Sequence, residues 1–331
     1  MKSIGRTTVK VLVLSLFLAV LEAAPPQEAK ISQIQVPSYD GVSLPGALRK
    51  PAGEGPFPAI LYLHGGVGGS GMKAMEQMLR GRVPEHFHRL GYAGLATDYR
   101  RFHFGEDEIQ DVMAAYRLLA NFPFIDKTRI AVIGGSHGGY LAQMLATRVS
   151  PAATVSFAGL TDIEGMFYEV GLELRKSVGS WQNWTEELLT HRQRAGTSTE
   201  PAGSPASPVR RIPGGNEPVR PGSAGYEVAL ELGWRYAERR DVYRAISPKE
   251  NVDKVSGPVL YLVGGRDPLR VAGQQWIETL KKRGVVAEYS EHEDMPHGFY
   301  WGQGENPPRQ FHEALKVTSD FIERRVRRAN E

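Results

Sequence analysis

Unbroken apolar runs of strand length recur along the chain at Ala59–Leu63, Ala93–Thr97, Ile130–Ile133, Ala153–Phe157 and Pro258–Val263. A strand with one covered face alternates apolar and polar residues, so continuous runs suit strands buried on both faces of a parallel sheet. Between them the spacing turns helical: Ile109, Val112, Met113, Tyr116 and Leu119 form one stripe, and Trp276, Ile277 and Leu280 another. A late strand is expected at Ala287–His292. A last helix is expected from about Pro308 to Arg327, with Phe311, Leu315, Phe321 and Ile322 inward and Arg324, Arg325, Arg327 and Arg328 as a solvated end. At the front, Ile31–Val36 and Val42–Leu48 read as a hairpin around Tyr39-Asp40-Gly41, with Asp-Gly as the turn signal. Strand and helix in alternation predict a doubly wound, mostly parallel α/β sheet.

The alternation breaks once. From Gly159 to about Ala245 no buried-strand run occurs, which predicts an insertion over the sheet. Trp181, Trp184, Leu188 and Leu189 have the spacing of an amphipathic helix within it, and Phe167, Tyr168, Trp181 and Trp184 are candidate apolar walls of a substrate pocket. Helical core packing is the alternative for each of these four. Residues 192–225 are rich in Gly, Pro, Ser, Thr, Ala and Arg with scarcely a large apolar side chain, so they are expected to form a mobile loop and the first site of limited proteolysis.

The first residues have a different character. Lys2, Arg6 and Lys10 precede an apolar run from Val11 to Leu21, too short to span a bilayer, and Ala23-Ala24-Pro25-Pro26 follows. This is the order of a signal peptide over residues 1–23, and it predicts a periplasmic or secreted protein with no stable membrane span after cleavage; an uncleaved amphipathic anchor is the alternative. The formal net charge of +3 falls to about +1 without that segment, which gives no reason to expect a nucleic-acid partner. There is no cysteine, so disulfides, thiolate nucleophiles and cysteine-bound zinc are excluded. Any nucleophile must be oxygen or nitrogen.

The apolar strand Ile130–Ile133 runs into Gly134-Gly135-Ser136-His137-Gly138, a G-x-S-x-G sequence, and then into a helical stretch. A serine at a sharp strand-to-helix turn needs small neighbours where the backbone reverses, and its exposed Oγ can reach a substrate carbonyl. Leu63-His64-Gly65-Gly66 ends an earlier strand, and the backbone N–H groups of Gly66 and His137 are the candidate oxyanion donors, with Val67 the alternative to Gly66. The base is expected at His297, in an exposed Pro-His-Gly turn after the late strand, and the orienting acid at Asp267, after Pro258–Val263 and Gly264-Gly265-Arg266. Asp162 is the rival acid, while Asp98 is expected to make a structural turn. His86 and His88 are expected at the surface. The cluster of His292, Glu293, Asp294 and His297 is expected to face solvent, and neither metal nor other cofactor is expected.

Three segments carry a family resemblance. Gly134–Tyr140 (GGSHGGY), Ser247–Asp267 and Pro296–Phe299 resemble the nucleophile, acid and histidine segments of the α/β-hydrolase superfamily. More narrowly, they resemble the prolyl oligopeptidase catalytic domain and the dienelactone-hydrolase-like esterases. The resemblance covers about Ile31 to Arg325 and implies an α/β-hydrolase domain over 24–331, a triad of Ser136, Asp267 and His297, and oxyanion donors at Gly66 and His137. Two departures from the peptidases stand out: only a signal peptide and a hairpin precede the domain here, where a β-propeller is usual, and His64 replaces the tyrosine before the oxyanion glycines. A small ester is therefore the expected substrate. A short peptide is the alternative, and a non-catalytic binding protein on the same fold is the reading from another class.

Overall fold

The computed structural model describes residues 30–66, 68–100, 103–178, 210–211, 218–219 and 224–326. The expected signal peptide, Trp181, Trp184 and most of the expected loop 192–225 lie outside the described residues. The hairpin forms as β1 (Ile31–Pro37) and β2 (Ser43–Arg49), antiparallel, with Gly41 at φ 84° in the turn. The expected parallel strands are β3 (Phe57–Leu63), β4 (Ala93–Thr97), β5 (Ile125–Gly135), β6 (Ala153–Phe157), β9 (Val259–Gly264) and β10 (Ala287–His292). Two short strands, β7 (Arg210–Arg211) and β8 (Pro218–Val219), pair with each other. The main sheet has the order β1-β2-β4-β3-β5-β6-β9-β10 and is parallel from β4 to β10.

The helices are α1 (Met72–Leu79), α2 (Arg82–Arg89), α3 (Glu106–Asn121), α4 (His137–Ala146), α5 (Ile163–Val178), α6 (Ala224–Tyr236), α7 (Arg240–Ala245), α8 (Arg270–Lys282) and α9 (Arg309–Val326). They cover both faces of the sheet, which explains the unbroken runs. Successive strand side chains point to opposite faces. In β3, Ala59, Leu61 and Leu63 pack with α3 to α6, while Ile60 and Tyr62 pack with α1, α2, α8 and α9. β5 divides likewise, with Ile130 and Val132 on the first face and Ala131 and Ile133 on the second. Its first residues, Ile125–Arg129, are largely polar and partly exposed, so an apolar run marks the strand only from Ile130. All ten residues of α4 are buried, since this helix lies between the sheet and its neighbours.

Between β6 and β9, the described helices α5 and α6 cross closely. A Cβ on Gly233 of α6 would lie 2.2 Å from the carbonyl oxygen of Gly171 on α5, and one on Gly171 would lie 2.6 Å from that of Ala229. Backbone meets backbone there, which lets Phe167, Val170, Leu174, Val228 and Leu232 bury their side chains around it. Gly233→Leu is expected to force the helices apart and destabilise the protein by about 1–3 kcal/mol despite its better helix propensity. A urea midpoint unchanged from wild type would contradict this packing.

Candidate active site

Strand β5 ends in a reversal at Ser136, whose φ of 56° is a region non-glycine residues rarely occupy. The strain is held from both sides: the Ser136 amide donates to the Phe157 carbonyl of β6 at 2.7 Å, and the Ser136 carbonyl accepts from Tyr140 in α4 at 3.0 Å. The flanking glycines are required by space. A Cβ on Gly134 would lie 2.0 Å from the Gly138 carbonyl oxygen, and one on Gly138 would lie 2.2 Å from that of Leu63. Ser136 thus stands where β5 gives way to α4, and His137 is the first residue of that helix. First-turn N–H groups have no acceptor within a helix, so the His137 amide is suited to an anion.

The loop after β3 is tied down by the residues that follow β4. The Asp98 carboxylate accepts from the Gly69 and Gly71 amides at 3.0 and 2.7 Å and from the Tyr99 amide at 2.8 Å, and it lies 3.1 Å from His64 Nε2. Burial opposes its ionisation, but the hydrogen bonds from His64 and the amides outweigh that and hold its carboxyl below the usual range. Tyr99 stacks on the His64 ring at 4.4 Å and donates its hydroxyl to the His64 carbonyl at 2.6 Å. Asp98 makes the expected structural turn and also fixes the glycine loop. Gly66 is exposed at φ 77°, a backbone conformation that only glycine adopts without strain. Val67 lies outside the described residues.

Asp267 and His297 meet. Asp267 sits in the turn after β9 with its side chain fully buried; Oδ1 accepts from the Leu269 amide at 2.9 Å, and Oδ2 lies 2.7 Å from His297 Nδ1. The two loops touch directly, since the Arg266 amide donates to the Met295 carbonyl at 3.1 Å. The His297 ring is 39% exposed, with its Nε2 edge opposite the carboxylate contact. Tyr300 links this loop to the serine. Its ring is 6.0 Å from His297, its hydroxyl faces the Ser136 backbone, and burial pushes its pKa well up.

The rival Asp162 is occupied elsewhere. It accepts from the Gly165 amide at 2.8 Å, capping α5, and from Lys249 Nζ at 2.7 Å. The pocket-wall candidates within the described residues are packing residues. Phe167 is 2% exposed in the core, edge-on to Phe104, and Tyr168 packs edge-on to Tyr243 at 5.1 Å beneath Arg240. Three further expectations need correction. His86 and His88 are partly buried rather than on the surface, and His86 Nε2 lies 2.9 Å from Ser319 Oγ of α9. His292 does not face solvent, being 7% exposed and packed on Phe299, whereas Glu293 and Asp294 are exposed. Arg324 and Arg325 are not simply a solvated end, since both pair with Glu288 of β10, at 3.0 and 3.4 Å.

Sequence reasoning missed a polar group behind Ser136. His137 Nε2 lies 2.8 Å from Glu108 Oε2, both side chains buried, with Tyr99, Phe104 and Tyr140 around the imidazole. The Phe104 amide donates to Glu231 of α6 at 2.7 Å. The available signal was an acid within the apolar stripe of α3, beside Ile109 and Val112.

Residues 87–203 match the model of the prolyl oligopeptidase family, and residues 215–301 that of the alpha/beta hydrolase fold. An uncharacterized peptidase, YtmA, of Bacillus subtilis is 30% identical over 162 residues, which are 46% of this chain and 60% of that protein. This chain therefore matches only part of that relative's length. Carboxyl esterase 2 of the fungus Tuber melanosporum superposes with a TM-score of 0.62 at 18% identity, over 90% of this chain and 88% of the esterase. The acylaminoacyl peptidase of Pyrococcus horikoshii gives 0.59 at 18% identity, over 90% of this chain and 42% of the peptidase. The sheet order and these superpositions show the α/β-hydrolase fold. Over residues 87–203 the sequence is similar to the prolyl oligopeptidase family.

Proposed function

We propose that the protein cleaves carboxylic esters through an acyl-enzyme, with Ser136 as nucleophile, His297 as base and Asp267 as the residue that orients it. The observation that carries this reading is the pairing of a strained, partly exposed serine at a strand-to-helix turn with an Asp–His contact of 2.7 Å at the same end of the sheet. Because Nδ1 faces Asp267, Nε2 is the nitrogen that accepts the Ser136 proton as Oγ attacks the carbonyl carbon. The carbonyl oxygen becomes an oxyanion between the Gly66 and His137 amides. Collapse expels the alkoxide, which takes the proton from Nε2. Water then attacks the acyl-serine with the same base assisting, and acid and free serine result.

Two related readings accompany the proposal. Residues 1–23 act as an export signal, making the mature protein periplasmic or secreted; among the described residues no helix is long and apolar enough to cross a membrane. The names of the similar proteins favour a short-peptide amide as the second substrate class. An amide demands protonation of a departing amine, which an ester does not, and the site residues identified are sufficient for the simpler task. Butyryl p-nitrophenyl ester is expected to exceed aminoacyl p-nitroanilides in kcat/KM after each is corrected for its uncatalysed rate. A greater corrected value for the anilide replaces ester cleavage by peptidase activity. Absence of fluorophosphonate labelling at Ser136 removes both.

A further inference from the structure

Beside the nucleophile a cleft of about 680 Å³ opens between α1, the turn at residues 80–82 and residues 301–303. His64 and Gly65 line part of it. Gly65 abuts the nucleophile, since a Cβ there would lie 3.3 Å from Ser136 Cβ. Trp301 abuts the same turn, since a Cβ on Gly135 would lie 2.7 Å from the indole Nε1. The cleft therefore borders the turn that carries Ser136.

Its chemistry is asymmetric. Ala74, Met75, Met78 and Trp301 make an apolar body, and thioether side chains adapt to varied shapes. Arg80 and Arg82, both exposed, supply the charge, and among the described residues no aspartate or glutamate lines the cleft. Arg82 is engaged in building the wall, because its guanidinium donates to the carbonyls of Gly302, Gly304 and Glu305, each at 2.9 Å. Arg80 has no ion-pair partner among the described residues and remains for a ligand.

His297 hands its proton to the departing oxygen, so the leaving group lies on the His297 side of the serine. The wall at Trp301 reaches that side through Tyr300, whose ring lies 6.0 Å from both His297 and Trp301. Resting on the serine-hydrolase reading above, we propose that this cleft binds the leaving group and selects alcohols or phenols with an apolar body ending in a carboxylate. The body packs on Met78 and Trp301, and the carboxylate meets Arg80.

The test compares two butyrate esters, of 4-hydroxyphenylacetic acid and of its methyl ester. A methylene separates the acid from the ring, so the two phenols leave almost equally well. The wild type is expected to prefer the free acid about fivefold in kcat/KM, the scale of one exposed charge pair, and to lose that preference in high salt. Arg80→Glu is expected to invert the ratio, and Met78→Trp to lower both aryl esters relative to methyl butyrate. Equal turnover of the two aryl esters, or a ratio unmoved by Arg80→Glu, overturns the cleft proposal while the hydrolase reading stands. A wild type inert to both esters and unlabelled by a fluorophosphonate overturns the hydrolase reading, and the cleft proposal with it.

Discussion

Ser136→Ala is expected to lower kcat on a short-chain ester by about 100,000-fold, because no other group at the strand-to-helix turn supplies a nucleophilic oxygen. Only Oγ is removed. The backbone bonds to Phe157 and Tyr140 that hold the strained φ remain, so the fold should survive with an unchanged urea midpoint. The amides of Gly66 and His137 also remain, and a small residual rate from oxyanion stabilisation is expected. Purified Ser136→Ala protein that kept activity within tenfold of wild type would end the assignment. A parallel loss of fluorophosphonate labelling separates loss of the nucleophile from loss of substrate binding.

The second large effect concerns the acid. In Asp267→Asn the amide that replaces the carboxylate cannot hold the His297 Nδ1 proton in the same way, and the neutral side chain no longer stabilises the imidazolium formed as Ser136 attacks. A fall in kcat of about 10,000-fold is expected, with little change in fold. Asp162→Asn serves as the comparison, since it keeps a good helix cap on α5 and forfeits only the exposed contact with Lys249. Its turnover should stay within about twofold of wild type. The reverse ranking of the two variants would move the acid from the β9 turn to the β6 turn.

Much of this arrangement was legible in local sequence. Buried parallel strands announce themselves as unbroken apolar runs, and the chemistry of a tight turn restricts Gly134 and Gly138 to glycine, so the elbow reads directly. The Asp267–His297 contact followed from placing both residues beyond the ends of strands that lie side by side in the sheet. What stayed hidden depends on contacts between distant segments. Nothing near Gly171 or Gly233 signals that the two meet. Glu108 reads as one of three acids opening a helix, a favourable place for charge, and only the approach of His137 at the start of α4 gives it a buried partner. His292 looked solvated because acids follow it, yet Phe299 folds back over it. The cleft beside α1 was invisible for the same reason, since its walls come from three separated stretches.

The turn at Ser136 brings these stretches together in a way that bears on how the chain folds. Gly138 closes on Leu63, the Ser136 amide reaches Phe157, and Gly135 packs under Tyr300 and Trp301. Leu63, Phe157 and Trp301 must therefore be in place before the strained serine is stable, and contacts between segments so far apart in sequence form slowly. Partly folded forms with formed helices and an incomplete sheet would lack a reactive serine. During refolding, the return of fluorophosphonate reactivity should lag behind far-UV circular dichroism, so that the nucleophile serves as the chain's own marker of completed assembly.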